Sequence, residues 1–299
     1  MARQATALDN IDRIPAPSPA DLDRLYLRTG TPVVLTGLFG GAPAFELRDR
    51  AVARRVLGHL PLPVTPPPIS EVLARGRTSP PRRTTFAAFL DDLAAGSREV
   101  CVELDTPTPL AARLPLPYLG IGAAHDRWVS LAFLAGPGST THLHFDRDLR
   151  HNVMVQVFGH KRYVVVDAAR TALLHPSAAP GAPYASDLHL DRLGPGELAD
   201  FVRDSGARDC TLAPGEALLI PATAWHWVRY EDIALSVSFR LRRNRWLDAL
   251  ARAAPVPGPD TLRLAASLWD EDRVTPAARR QLIQPLEGRL RGSGTAVFR

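Results

Sequence analysis

The chain has 299 residues, 45% of them hydrophobic, with a formal charge of +5 and a mean hydropathy near zero. That length allows one or two domains with a sizeable core, and no apolar run approaches the roughly 18 residues of a membrane-spanning helix. Two cysteines, Cys101 and Cys210, exclude a disulfide framework, and the start MARQATALDNIDRIP lacks a signal-like apolar stretch, so a cytoplasmic protein with no membrane partner is expected.

The positive charge is carried by arginine, since Lys161 is the single lysine among 36 Lys and Arg. Arginines cluster at Arg240, Arg242, Arg243 and Arg245 and again at Arg279 and Arg280. No zinc-finger, helix-turn-helix or aromatic RNA-binding pattern accompanies them, which argues against nucleic acid.

Residues 18–29 read as a helix, with Ser18 as N-cap and Pro19 at the first helical position. Pro32-Val33-Val34-Leu35 reads as a buried strand. Helical periodicity returns over 47–58 and 84–95, while the proline-rich stretch 61–83 reads largely as loop. From 99 onward short strands take over, at 99–104, 128–134, 141–146, 152–158, 161–167, 208–212, 216–220, 225–230 and 233–240. Their spacing, broken by Gly and Pro, predicts a sandwich or barrel. The insert 168–200 reads as irregular. Beyond Trp246 the pattern is helical again, over Thr261–Leu268 and Pro276–Leu290. The expected organisation is a catalytic domain over 1–245 and a helical extension over 246–299. That extension either packs on the barrel or forms a homodimer contact.

One constellation carries chemistry. His144-Phe145-Asp146 ends a β-rich run, and i and i+2 share a face in extended backbone. His226 follows on a later apolar strand flanked by Trp225 and Trp227. Two histidines and a carboxylate on one face hold non-haem Fe(II) and leave positions open for oxygen and a co-substrate. Tetrahedral zinc is the competing metal, with no cysteine near to complete it. A rival pair, His189-Leu190-Asp191, lies in the irregular insert and has less strand around it. His142 should face the same side as His144 by period 2, as an extra ligand, an outer donor or an ordinary strand residue, and it is left out of the ligand set. Lys161 precedes a buried strand. It either snorkels to water or serves as a point charge for an acidic co-substrate.

These motifs resemble the JmjC, or cupin-like type 8, oxygenases. The similarity runs from about Trp128 to Phe239. It rests on Gly138-Ser139-Thr140-Thr141-His142-Leu143-His144-Phe145-Asp146, on Asn152, Gln156, Gly159, Lys161 and Arg162, and on Pro214-Gly215-Glu216, Ile220-Pro221 and Trp225-His226. The resemblance implies a mainly β fold with flanking helices, built on a double-stranded β-helix of jelly-roll, cupin-like form. It implies Fe(II) on His144, Asp146 and His226, and 2-oxoglutarate held by Lys161 and Thr141 with Asn152 nearby. The implied reaction converts 2-oxoglutarate to succinate and CO₂ and hydroxylates an amino-acid side chain in a protein or peptide. A free amino acid or small metabolite is the nearest alternative substrate, and N-methyl demethylation ranks behind hydroxylation. A metal-dependent cupin that ignores 2-oxoglutarate and a non-catalytic binding module are the other classes.

Overall fold

The computed structural model describes residues 8–39, 43–66, 81–114, 118, 130–146, 150–177 and 185–241. The expected extension over 246–299, its two helices and its dimer contact lie outside the described residues. Thirteen strands are described. They are β1 (Arg13–Pro15), β2 (Val33–Thr36), β3 (Pro61–Val64), β4 (Arg82–Thr85), β5 (Val100–Asp105), β6 (Ser130–Ala135), β7 (Thr140–His144), β8 (Asn152–Phe158), β9 (Lys161–Val166), β10 (Arg208–Leu212), β11 (Ala217–Ile220), β12 (Trp225–Tyr230) and β13 (Ala234–Arg240). No described helix is long and apolar enough to cross a membrane.

Two sheets face each other. The larger has the order β1-β2-β11-β8-β13-β6-β5 and the smaller β10-β9-β12-β7. From β6 to β13 the chain passes repeatedly between them, which is the winding of a jelly roll. The strands expected from 99 to 240 all form, with ends moved by a residue or two.

Alternation along each strand sorts the side chains into three layers. Odd positions of β8 (Val153, Val155, Val157) and of β13 (Val237, Phe239) pack outward onto Leu57, Phe86, Phe89 and Leu90 of the N-terminal helices. Their even neighbours look inward, where Met154, Tyr163, Val165, Leu218 and Ile220 form the space between the sheets. On the other outer face, Leu143, Phe145, Trp225 and Trp227 pack on Leu190 of the insert and on Leu198 and Val202 of the helix at its end. Both sheets therefore have one face covered by helices and loops, and the remaining faces enclose the site.

Three readings change. The stretch 61–83 is not only loop, because β3 and β4 pair antiparallel, Pro61 opposite Thr85 through Val64 opposite Arg82. Leu62 and Val64 turn inward while Pro61 and Pro63 sit on the outward positions, as proline allows at a sheet edge. The insert also contains a helix, Pro195–Ser205. Gly194 N–H donates to Glu197 Oε2 at 2.7 Å, Pro195 takes the first helical position, and Gly206 ends the helix in the left-handed region at φ +67°. The segment 18–29 splits into an α-turn over Pro19–Leu22 and a wider π-turn over Asp23–Leu27.

Candidate metal centre

β7 and β12 lie side by side, with His226 directly opposite His144. The register then slips, so that Val228 faces Thr141 rather than His142. Three steps on β7 match two on β12, which is a β-bulge. The bulge resets which side chains look inward. Thr141 and His144, three residues apart, both line the cavity between the sheets. His142 turns away, to Ser186 O and the ring of His189. The period-2 expectation that His142 shares the face of His144 and Asp146 is therefore overturned by one extra residue in the strand.

Ligand atoms of His144, Asp146 and His226 all lie within 4.8 Å of one another. The two imidazole rings stand 4.2 Å apart between centroids, and His144 Nε2 is 4.0 Å from Asp146 Oδ1. Each imidazole is oriented by the backbone two residues earlier. His144 Nδ1 lies 2.7 Å from His142 O, and His226 Nδ1 lies 3.2 Å from Ala224 O. A carbonyl can only accept, so in both rings Nδ1 carries the hydrogen and Nε2 keeps its lone pair. Such a donor arrangement is how metal-binding histidines are usually fixed.

Asp146 is held just as firmly. Arg240, from the end of β13, donates from Nη1 to Oδ2 at 2.6 Å and from Nη2 to Oδ1 at 2.9 Å. Asn152 Nδ2 adds a bond to Oδ2 at 3.2 Å, and its own Oδ1 accepts from Ser238 Oγ at 2.8 Å. Burial alone would raise the Asp146 carboxyl, but Arg240 and the two imidazoles outweigh it and hold the group down to about 2. Burial, followed by the neighbouring His226, lowers His144 to about 3. At neutral pH His144 is thus a neutral imidazole and Asp146 a carboxylate. That is the protonation state a divalent metal requires.

The same cavity, of about 70 Å³, extends to Lys161 and is walled by Phe133, Met154, Tyr163, Ile220, Val228 and Tyr230. Lys161 is 1% exposed. Its Nζ donates to Ser236 Oγ at 2.5 Å and lies 3.9 Å from the centroid of the Tyr230 ring. Burial alone pushes its pKa well below the ordinary lysine value, so among the described residues no carboxylate neutralises it. It does not snorkel to water. A dry amine in a pocket that contains His144, Asp146 and His226 is matched by an acid supplied from outside, which would hold it in the charged form. The donor set fits Fe(II), and the lysine with the Thr141 hydroxyl fits a dicarboxylate that reaches toward it.

All six residues singled out in the sequence, His144, Asp146, His226, Lys161, Thr141 and Asn152, line this one cavity. His189 and Asp191 do not. Arg240 was noted there only as part of a basic cluster, and its pairing with Asp146 spans 94 residues of chain.

Comparison with known proteins agrees with this geometry. A family model described as a cupin-like domain matches residues 19–249. The chain is 26% identical over 240 residues to lysine-specific demethylase 8 of Danio rerio, which covers 77% of this chain and 57% of that protein. It is 29% identical over 123 residues to lysine-specific demethylase 8 of Xenopus tropicalis, covering 41% and 27% respectively. It is 32% identical over 108 residues to Jumonji C domain-containing protein 5 of Drosophila melanogaster, covering 36% and 26%. The chain thus spans about a quarter to just over half of the length of these relatives.

Proposed function

The chain belongs to the cupin-like domain family, of JmjC type, and from that premise we propose that it is an Fe(II)- and 2-oxoglutarate-dependent oxygenase that hydroxylates a side chain of a protein or peptide. The observation that carries this is the shared cavity: two imidazole Nε2 lone pairs, one carboxylate and one buried, unneutralised lysine. His144, Asp146 and His226 would hold the metal, while Lys161 and Thr141 would take the far carboxylate of 2-oxoglutarate. With both bound, the metal supplies oxygen activation coupled to decarboxylation of the co-substrate to succinate.

The protein's own part is to orient and to keep dry. Backbone carbonyls of His142 and Ala224 fix the imidazole tautomers, Arg240 and Asn152 aim the carboxylate, and apolar walls at Phe133, Met154, Ile220 and Val228 exclude water. Excluding water strengthens the Lys161–carboxylate pair and shields reactive species from side reactions.

Similarity to lysine-specific demethylase 8 of fish and frog favours a second reading, N-methyl demethylation. The two chemistries share their first event, transfer of hydroxyl to a substrate carbon. They part afterwards, since a hydroxylated N-methyl group breaks down to formaldehyde and the amine, whereas a hydroxylated ring or chain carbon keeps its oxygen. One experiment separates them. The protein is incubated with Fe(II), 2-oxoglutarate and a peptide library containing methylated and unmethylated members, then analysed by mass spectrometry and for succinate. Retained oxygen that needs both Fe(II) and 2-oxoglutarate and vanishes in Lys161→Ala supports hydroxylation. Formaldehyde with loss of a methyl group replaces it by demethylation. Turnover that ignores 2-oxoglutarate and proceeds without oxygen removes the oxygenase reading altogether.

A further inference from the structure

The bulge in β7 that turns Thr141 and His144 inward leaves His142 on the outside, and there it meets the pair set aside in the sequence. Ligand atoms of His142, His189 and Asp191 lie within 4.8 Å of one another. We propose that these three residues form a second metal site, for a borderline dication of the zinc type, which ties the insert to the strand carrying His144.

The first observation is the state of His142. The residue is 8% exposed, and its Nε2 lies against Ser186 O. The carbonyl can only accept, so Nε2 carries the hydrogen and Nδ1 keeps a lone pair. That Nδ1 is buried and has no hydrogen-bond partner among the described residues. A buried acceptor without a partner is destabilising, and a metal ion is one ligand that satisfies it. A histidine that donates from one ring nitrogen to a backbone carbonyl and offers the other is built as a metal ligand.

The second observation is what stands opposite. The His189 ring centroid is 5.2 Å from that of His142, and His189 Nδ1 is 3.9 Å from Asp191 Oδ1. Ligand atoms around tetrahedral zinc, at about 2.0–2.1 Å from the metal, lie roughly 3.3 Å from each other. Closing that gap takes a small rotation of side chains that are 45% and 36% exposed. Two imidazoles and a carboxylate suit zinc and its neighbours in the first transition row better than calcium or magnesium, which prefer all-oxygen sets. Three protein ligands leave the fourth position to water.

The consequence follows from where the ligands sit. The middle segment of the insert already joins β7, through Ser186 N–H to Leu143 O at 2.9 Å and a bridge of Ala185 to His144. A metal on His142, His189 and Asp191 would cross-link that segment to β7 two residues from the inward-facing His144. Occupancy would therefore hold the insert down beside the candidate metal centre.

The test is calorimetric titration of the tag-free, metal-stripped full chain with Zn(II), in wild type, His189→Ala, Asp146→Ala and the double variant. About two equivalents are expected in wild type, one in each single variant and none in the double. His160 provides the control, because its ring pairs with Asp232 at 2.8 Å and belongs to neither ligand group, and His160→Ala should leave the stoichiometry unchanged. Since His189 is exposed, its loss should not unfold the chain, and far-ultraviolet circular dichroism verifies that. Zinc binding that is the same in His189→Ala as in wild type overturns the second site. If His189→Ala abolishes the one equivalent that wild type binds, and Asp146→Ala does not, the second site stands and the proposed centre at Asp146 fails instead.

Discussion

Lys161→Met is the substitution whose outcome differs most between an anion-binding lysine and a merely structural one. The side chain is 1% exposed and its Nζ has one hydroxyl and two aromatic rings, Tyr230 and Phe133, for company. Holding an ammonium there costs several kcal/mol. The cost has a ceiling, because the amine can shed its proton. From an unfolded pKa of about 10.4, that escape costs about 4.6 kcal/mol at pH 7. The Ser236 hydroxyl and the Tyr230 ring offset part of it. Methionine fills a similar volume without the charge, so the ligand-free variant should gain about 1–3 kcal/mol, roughly 2–12 °C in Tm. The sign with pH is fixed. The folded pKa lies below the unfolded one, so the penalty is absent above about pH 10.4 and builds as pH falls. The gap between variant and wild type should therefore narrow in alkaline buffer. Thermal unfolding with Mn(II) and 2-oxoglutarate at about a hundred times Kd supplies the second half. Wild type should gain about 2.7 kcal/mol from the co-substrate, roughly 5–11 °C, and Lys161→Met almost none of it. A variant that is less stable than wild type yet still responds to 2-oxoglutarate would refute the reasoning.

Three further outcomes follow from the same structure. His144 is held down to about 3 by burial and His226, so its stabilising contribution is present above about pH 6.5 and is lost as pH falls toward 3. Denaturant titrations of the metal-free protein across that range should show the decline, flattened in His144→Ala. Asp209→Ala leaves Arg162 buried without its bidentate carboxylate, at 3.0 and 2.6 Å in the wild type, and should cost about 3–5 kcal/mol in urea unfolding. Gly159 turns β8 into β9 at φ +68°, and a Cβ there would meet Ile233 O at 2.3 Å and the Ala234 Cα at 2.7 Å. Gly159→Ala should lower stability by about 2 kcal/mol or more, measured the same way, while a compensating gain would mean the turn is not as described.

Much of the architecture can be read from strand alternation, because hydrophobic period and turn chemistry agree along β5 to β13. Candidate ligands at His144, Asp146 and His226 were legible for the same reason, each standing on or at the end of an apolar strand. What escaped was set by single residues or by distance. Nothing in Thr140-Thr141-His142-Leu143-His144 announces a bulge, yet that extra residue decides that Thr141 rather than His142 faces the cavity. The helix Pro195–Ser205 was hidden by the density of Gly and Pro around it, although Pro195 and Gly206 are its natural ends. Arg240, opposite Asn152 at the end of β13, meets Asp146 just past β7 of the other sheet, and a local reading of the chain has no access to that pairing.

The most direct test of the metal and co-substrate assignment is anaerobic addition of Fe(II) and then 2-oxoglutarate, followed in the visible spectrum. Chelation of the metal by the 2-oxo acid gives a charge-transfer band. The band should appear at one equivalent of iron in wild type, be absent in Asp146→Ala, and require far more 2-oxoglutarate in Lys161→Met. A band of equal strength and equal 2-oxoglutarate dependence in all three proteins would contradict the account.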